Sequence, residues 1–161
     1  MKDIKTKIIL AAAFLLLPLA ASANLIWPSI YIVEQYYVWY VILIGLLIEI
    51  AAAHKFLKTS WKKSTLVMVA ANAISALLGL LLIPVSGLLV EILTIPFGGG
   101  TFGLLNWILD YLCAVLVNAC VEGLALKWIF KYPFKPNFLW LFVANLVSVL
   151  ICIISLCFNP M

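Results

Sequence analysis

Four stretches of this chain, about 38–57, 64–84, 106–130 and 138–158, are nearly unbroken runs of apolar side chains, each about 20 residues or a little longer. A hydrocarbon core about 30 Å thick is crossed by about 20 residues of α-helix rising about 1.5 Å each, so every run can span a bilayer. No water in that layer can satisfy backbone N–H and C=O groups, which restricts each run to a helix with internal hydrogen bonds. The expected fold is an all-α integral membrane protein with four transmembrane helices. Composition agrees, with 67% of the 161 residues hydrophobic and 10% charged, against about 45–50% and 25% in soluble domains.

The basic residues are ten lysines and no arginine. A nucleic-acid-binding face needs Lys and Arg clustered on a solvated surface, so the expectation is no nucleic-acid partner, and the lipid bilayer instead. No segment between the runs is long enough to bury a core of its own. Residues 24–161 therefore read as one four-helix transmembrane domain without a separate soluble catalytic unit.

The first 23 residues carry Lys2, Lys5 and Lys7, an apolar run from Ile8 to Ala20, and the small-residue end Ala21-Ser22-Ala23. That order is the pattern of a cleavable signal peptide, cut before Asn24. Trp27, Tyr31, Tyr36, Tyr37, Trp39 and Tyr40 follow within a few turns, and such aromatic density predicts a short interfacial helix leading into the first span. After the leader, lysines occur only as Lys55, Lys58, Lys62 and Lys63 in one loop and Lys127, Lys131 and Lys135 in another. The positive-inside rule places loops 55–63 and 127–137 in the cytoplasm of a bacterial inner membrane, with the mature termini outside. The seven side chains are expected to snorkel as lipid-headgroup anchors. The lysine-free stretch after Pro84, with Glu91, Pro96 and Gly98-Gly99-Gly100, reads as an outer loop, and Glu91 and Asp110 as solvated or interfacial acids.

Sliding the chain against itself reveals an internal repeat at an offset of 73 residues. Glu49 falls on Glu122, Lys58 on Lys131, Lys62 on Lys135, Asn72 on Asn145 and Ser75 on Ser148. Polar residues are scarce in the spans, so these coincidences carry more weight than the many apolar ones. The repeated unit is a helical hairpin, about 38–84 and again about 106–158, written as Glu, a lysine-bearing loop, then Ala-Asn-x-x-Ser. An even number of crossings separates the copies, which predicts a parallel repeat with a pseudo-two-fold axis along the membrane normal. Glu49 lies six residues before Lys55 and Asn72 nine after Lys63, about 9 Å and 13 Å from the inner boundary at about 1.5 Å per residue, so the two side chains can meet across the hairpin. The same holds for Glu122 and Asn145, with Asn118 one turn away from Glu122 on the same helix face.

An acid inside a span is costly and marks a site by default. Two roles fit Glu49, Asn72, Ser75, Asn118, Glu122, Asn145 and Ser148. One is a structural clasp, a carboxyl and an amide exchanging hydrogen bonds across a hairpin. The other is an intramembrane proton or cation site. Enzyme signatures are nearly absent: His54 has no second histidine, Gly98-Gly99-Gly100 lacks the Gly-Lys-Ser/Thr of a phosphate loop, and the cysteines at 113, 120, 152 and 157 show no Cys-x-x-Cys spacing. The sequence points to a small non-catalytic membrane protein, an accessory or structural subunit working with other membrane subunits, with no cofactor or metal. The alternative is a dimeric proton- or cation-coupled transporter using Glu49 and Glu122. A membrane-embedded lipid-handling enzyme ranks behind both.

Overall fold

The computed structural model describes residues 28–36, 38–97 and 103–158. The expected leader over residues 1–23 and the glycine run 98–100 lie outside the described residues. Helix α1 (Pro28–Tyr36) is followed by α2 (Trp39–Leu57), α3 (Trp61–Thr94), a 3-10 turn (Ile95–Phe97), α4 (Leu104–Trp128) and α5 (Phe134–Phe158). Helices α2 to α5 are each long and apolar enough to cross a membrane. The protein is an all-helical, multi-pass membrane protein.

Its surface is the reverse of a soluble domain's. Leu77 is 72% exposed and Leu139 71%, among many outward Leu, Ile and Val side chains, while Glu49 is 2% exposed and Glu122 1%. Apolar area of this extent finds no favourable contact in water, and lipid chains supply it.

The four long helices form a ring in which α2 packs on α3, α3 on α4, α4 on α5 and α5 back on α2. Helices α2 and α4 therefore occupy opposite corners, as do α3 and α5. Both lysine-bearing connections lie at one end, where the Lys63 ammonium sits 5.6 Å from the centre of the Tyr132 ring. Each is a tight reversal made at a left-handed residue, Lys58 (φ 52°) in the first and Lys131 (φ 62°) in the second. The first is pinned by His54, whose ring stacks 4.2 Å from that of Trp61 and whose Nδ1 lies 2.6 Å from the Thr59 carbonyl. Ser60 then caps α3, its hydroxyl accepting from the Lys63 N–H. The second closes when the Tyr132 N–H donates to the Leu126 carbonyl, six residues back, at 3.0 Å.

Three expectations are corrected here. The segment after Pro84 is not a loop: α3 runs through the proline to Thr94, 34 residues in all. Proline removes one backbone donor but does not end a helix that neighbouring helices support. The next turns keep an inward face of Gly87, Val90 and Thr94, and Ser86 Oγ donates to the Ile83 carbonyl at 2.7 Å. Likewise α5 begins at Phe134 rather than near 138, because Pro136 falls in its first turn, where no intrahelical partner awaits an N–H.

Asp110 is the third correction, being buried rather than solvated. Helix α1 docks against α3, α4 and α5 with Ser29 and Ile32 fully covered. The first N–H groups of a helix lack internal partners and carry partial positive charge. The N–H of Ser29, next to Pro28 at the start of α1, donates to Asp110 Oδ2 at 3.1 Å. Gly87 makes room, since a Cβ there would collide with the Ser29 side chain and lie 3.3 Å from Asp110 Oδ2. Glu91 is half-buried.

Candidate functional site

Glu49, Asn72, Ser75, Glu122, Asn145 and Ser148, one or two from each long helix, converge in the middle of the ring. Asn72 Nδ2, on α3, donates to Glu49 Oε2 on α2 and to the Met68 carbonyl one turn back at 3.0 Å. Asn145 Nδ2, on α5, donates to Glu122 Oε2 on α4 at 2.8 Å and to the Leu141 carbonyl at 3.1 Å. In each hairpin both amide protons are used, one to hold the side chain against its own helix and one to hold the carboxyl.

The serines connect the hairpins to each other. Ser75 Oγ on α3 lies 3.1 Å from Glu122 Oε1 on α4 and 3.1 Å from the Asn72 carbonyl. Ser148 Oγ on α5 lies 3.4 Å from Glu49 Oε1 on α2 and 3.2 Å from the Ala144 carbonyl. A hydroxyl has one proton and also accepts. Facing an ionised carboxylate, each serine shares its proton between carboxylate and backbone. Facing a neutral carboxyl, it keeps the backbone bond and accepts the carboxyl proton. The same heavy-atom arrangement therefore serves both protonation states.

Beside this cluster, between α2 and α3, lies a cavity of about 290 Å³. Its polar end is made by Glu49, Asn72, Ser75, Asn118, Asn145 and Ser148, and its walls by aliphatic residues including Val41, Ile42, Val69 and Ile83. Gly45 and Gly79 also line it. A Cβ at Gly45 would stand 2.9 Å from Ser148 Oγ, so the glycine lets the hydroxyl approach Glu49 one turn further along α2. Ile42 and Val69 are exposed on the outer surface of the helices, so the cavity opens sideways, toward lipid. Glu122 is not among its lining residues, and Asn145 is buried where Asn72 is only half-buried.

All seven polar residues singled out in the spans are thus near one another, with Asn118 at the cavity edge beside Gly79. The seven loop lysines, Lys55, Lys58, Lys62, Lys63, Lys127, Lys131 and Lys135, lie exposed at or beside the two connections, away from the cluster. Cys113 and Cys120 are half-buried free thiols and Cys152 a buried one, while the Cys157 side chain is outside the described residues. Sequence reasoning missed Gly45 and Gly79, although a glycine four residues before Glu49 was a signal of close approach. It also missed the docking of Ser29 on Asp110, for which a helix start at Pro28 was the available sign. Comparison with protein-family models, curated proteins and solved structures finds no match for the chain.

Proposed function

We propose that the chain is a small non-catalytic inner-membrane protein, an accessory or structural subunit of a membrane complex. It is made of two tandem hairpins clasped through their glutamates. One observation carries this reading: each glutamate takes one hydrogen bond from the asparagine of its own hairpin and one from the serine of the other. Such reciprocity is what a pseudo-two-fold relation between residues about 38–84 and 106–158 produces. The left-handed residues Lys58 and Lys131 and the paired asparagine bonds to Met68 and Leu141 support the same relation. The carboxyls are engaged by amides and hydroxyls, a set suited to holding helices together. The cavity is bordered by the outward-facing Ile42 and Val69, which favours a protein that works with neighbours over one that forms a pathway alone.

The orientation proposed has the lysine loops in the cytoplasm, the mature termini outside and a leader removed before Asn24. Purification of the full chain in mild detergent tests the subunit reading, with a stoichiometric membrane partner as the expected result. A lone homodimer would transfer support to a proton- or cation-coupled transporter acting through Glu49 and Glu122. That second reading draws on the serine geometry, which accommodates both charge states of each carboxyl.

A further inference from the structure

The clasp by itself does not require the cavity between α2 and α3. At about 290 Å³ it is near the lower end of the range for small-molecule sites, about 300–1,000 Å³, and it has their composition, apolar walls with a few convergent polar groups. The two hairpins also differ at this point. Gly45 lies one turn before Glu49, whereas Asn118 lies one turn before Glu122. Gly45 lets Ser148 close on the first glutamate, and both Gly45 and Asn118 border the cavity while Glu122 does not.

The hydrogen-bonding capacity around Glu49 is one-sided. Both Nδ2 protons of Asn72 are committed to Glu49 and Met68, and both of Asn145 to Glu122 and Leu141. The protons of Ser75 and Ser148 are directed to backbone carbonyls and carboxylates. What the side chains around Glu49 can offer a ligand is acceptors, the Glu49 carboxylate and the Asn72 and Asn145 carbonyl oxygens, while the Asn118 amide, with donors as well, stands at the cavity edge beside Gly79. No Lys, Arg or His occurs between Ser64 and Leu126, or in α2 before His54, so no basic side chain at this depth neutralises Glu49. A ligand head that donates and carries positive charge is complementary, and an anion or a pure acceptor is not.

We propose that this cavity binds a small lipophilic ammonium, its N–H donors on Glu49 and the neighbouring asparagine carbonyls and its hydrocarbon body between α2 and α3. It enters from the bilayer past Ile42 and Val69. The proposal goes beyond the subunit reading and holds whether or not the protein has a partner or moves a solute.

The test uses the full chain in lipid nanodiscs, with 4-fluorophenethylammonium as probe and the corresponding neutral alcohol as comparison, both followed by fluorine NMR. The ammonium should bind saturably and the alcohol about tenfold or more weakly, since a buried charge pair is lost with the alcohol. Glu49→Gln should weaken ammonium binding about tenfold or more, and Glu122→Gln much less. Gly79→Leu should abolish binding by filling the space: its Cβ would make ordinary contacts, 3.4 Å from Ile83 Cδ1 and 3.7 Å from Asn118 Oδ1, and the polar groups stay in place. Equal binding of ammonium and alcohol, or of lipid alone, overturns the proposal, as does unchanged binding in either Glu49→Gln or Gly79→Leu. If Glu49→Gln does not fold, the wild-type comparison of the two probes and Gly79→Leu decide the matter between them.

Discussion

Ser75 Oγ donates to Glu122 Oε1 across 3.1 Å, from the second helix of one hairpin to the first helix of the other. The reciprocal bond, Ser148 to Glu49, is longer at 3.4 Å. Glycine at position 45 makes the longer bond possible at all, because a Cβ there would stand 2.9 Å from Ser148 Oγ. The glutamates thereby act at two levels, holding each hairpin through asparagine and joining the hairpins through serine.

Removing the serine hydroxyls should therefore loosen the hairpins from each other while each stays intact. Ser75→Ala and Ser148→Ala are each expected to lower stability by about 0.6–1.7 kcal/mol, the range measured for interhelical hydrogen bonds in membranes. Ser75→Ala should have the larger effect because its bond is shorter. Denaturation in mixed detergent micelles, followed by circular dichroism, gives the comparison; no loss in the double variant would remove the inter-hairpin role.

Glu49→Gln and Glu122→Gln separate a clasp from a titrating site. Glutamine can accept from asparagine through its carbonyl and donate its amide to the serine, as a neutral carboxyl does, but cannot bind and release a proton. A clasp predicts normal abundance and normal function in whatever growth assay reports on the protein, whereas a proton-coupled site predicts normal abundance with function lost. Asn72→Leu and Asn145→Leu leave a glutamate short of its amide partner, and both readings expect lower abundance. Asn145→Leu should be the more damaging, since Asn145 is buried where Asn72 borders the cavity.

Docking of α1 should depend on Asp110. Asp110→Ala leaves the Ser29 N–H without its acceptor in a buried place, at a cost of about 1–3 kcal/mol. Amide exchange in residues 29–32 is then expected to accelerate. Asp110→Asn keeps a carbonyl acceptor and should fall between wild type and Asp110→Ala. Gly87→Val should mimic the alanine variant by displacing Ser29 sterically. Unchanged exchange in all three variants would show that α1 is held by Ile32 alone.

The proposed orientation is checked by cysteine labelling in intact cells after the native cysteines are replaced. Ser60→Cys, in the exposed turn between α2 and α3, should resist an impermeant maleimide, and Ile95→Cys, exposed at the far end of α3, should react. The opposite pattern would invert the protein in its membrane.

The four spans were legible because bilayer thickness sets a length and the absence of water sets a conformation, both of which are written in local composition. The meeting of Glu49 with Asn72 was nearly as local, since a short turn joins their helices and fixes the relative depth of residues on either side. Pro84 misled because proline's lost donor is a local cost, while the packing of Gly87, Val90 and Thr94 that carries α3 past it is not. Asp110 misled for the same reason, its partner Ser29 being distant in sequence. Which serine reaches which glutamate, and that space remains beside Glu49 but not beside Glu122, depends on the order of helices around the ring and the rotation of each about its axis. Those quantities are set by all the side-chain contacts of the bundle at once. The sequence alone therefore determined the helices, their lengths and the acids they carry, and only their mutual packing decided that the acids are shared between hairpins and that one of them faces a cavity.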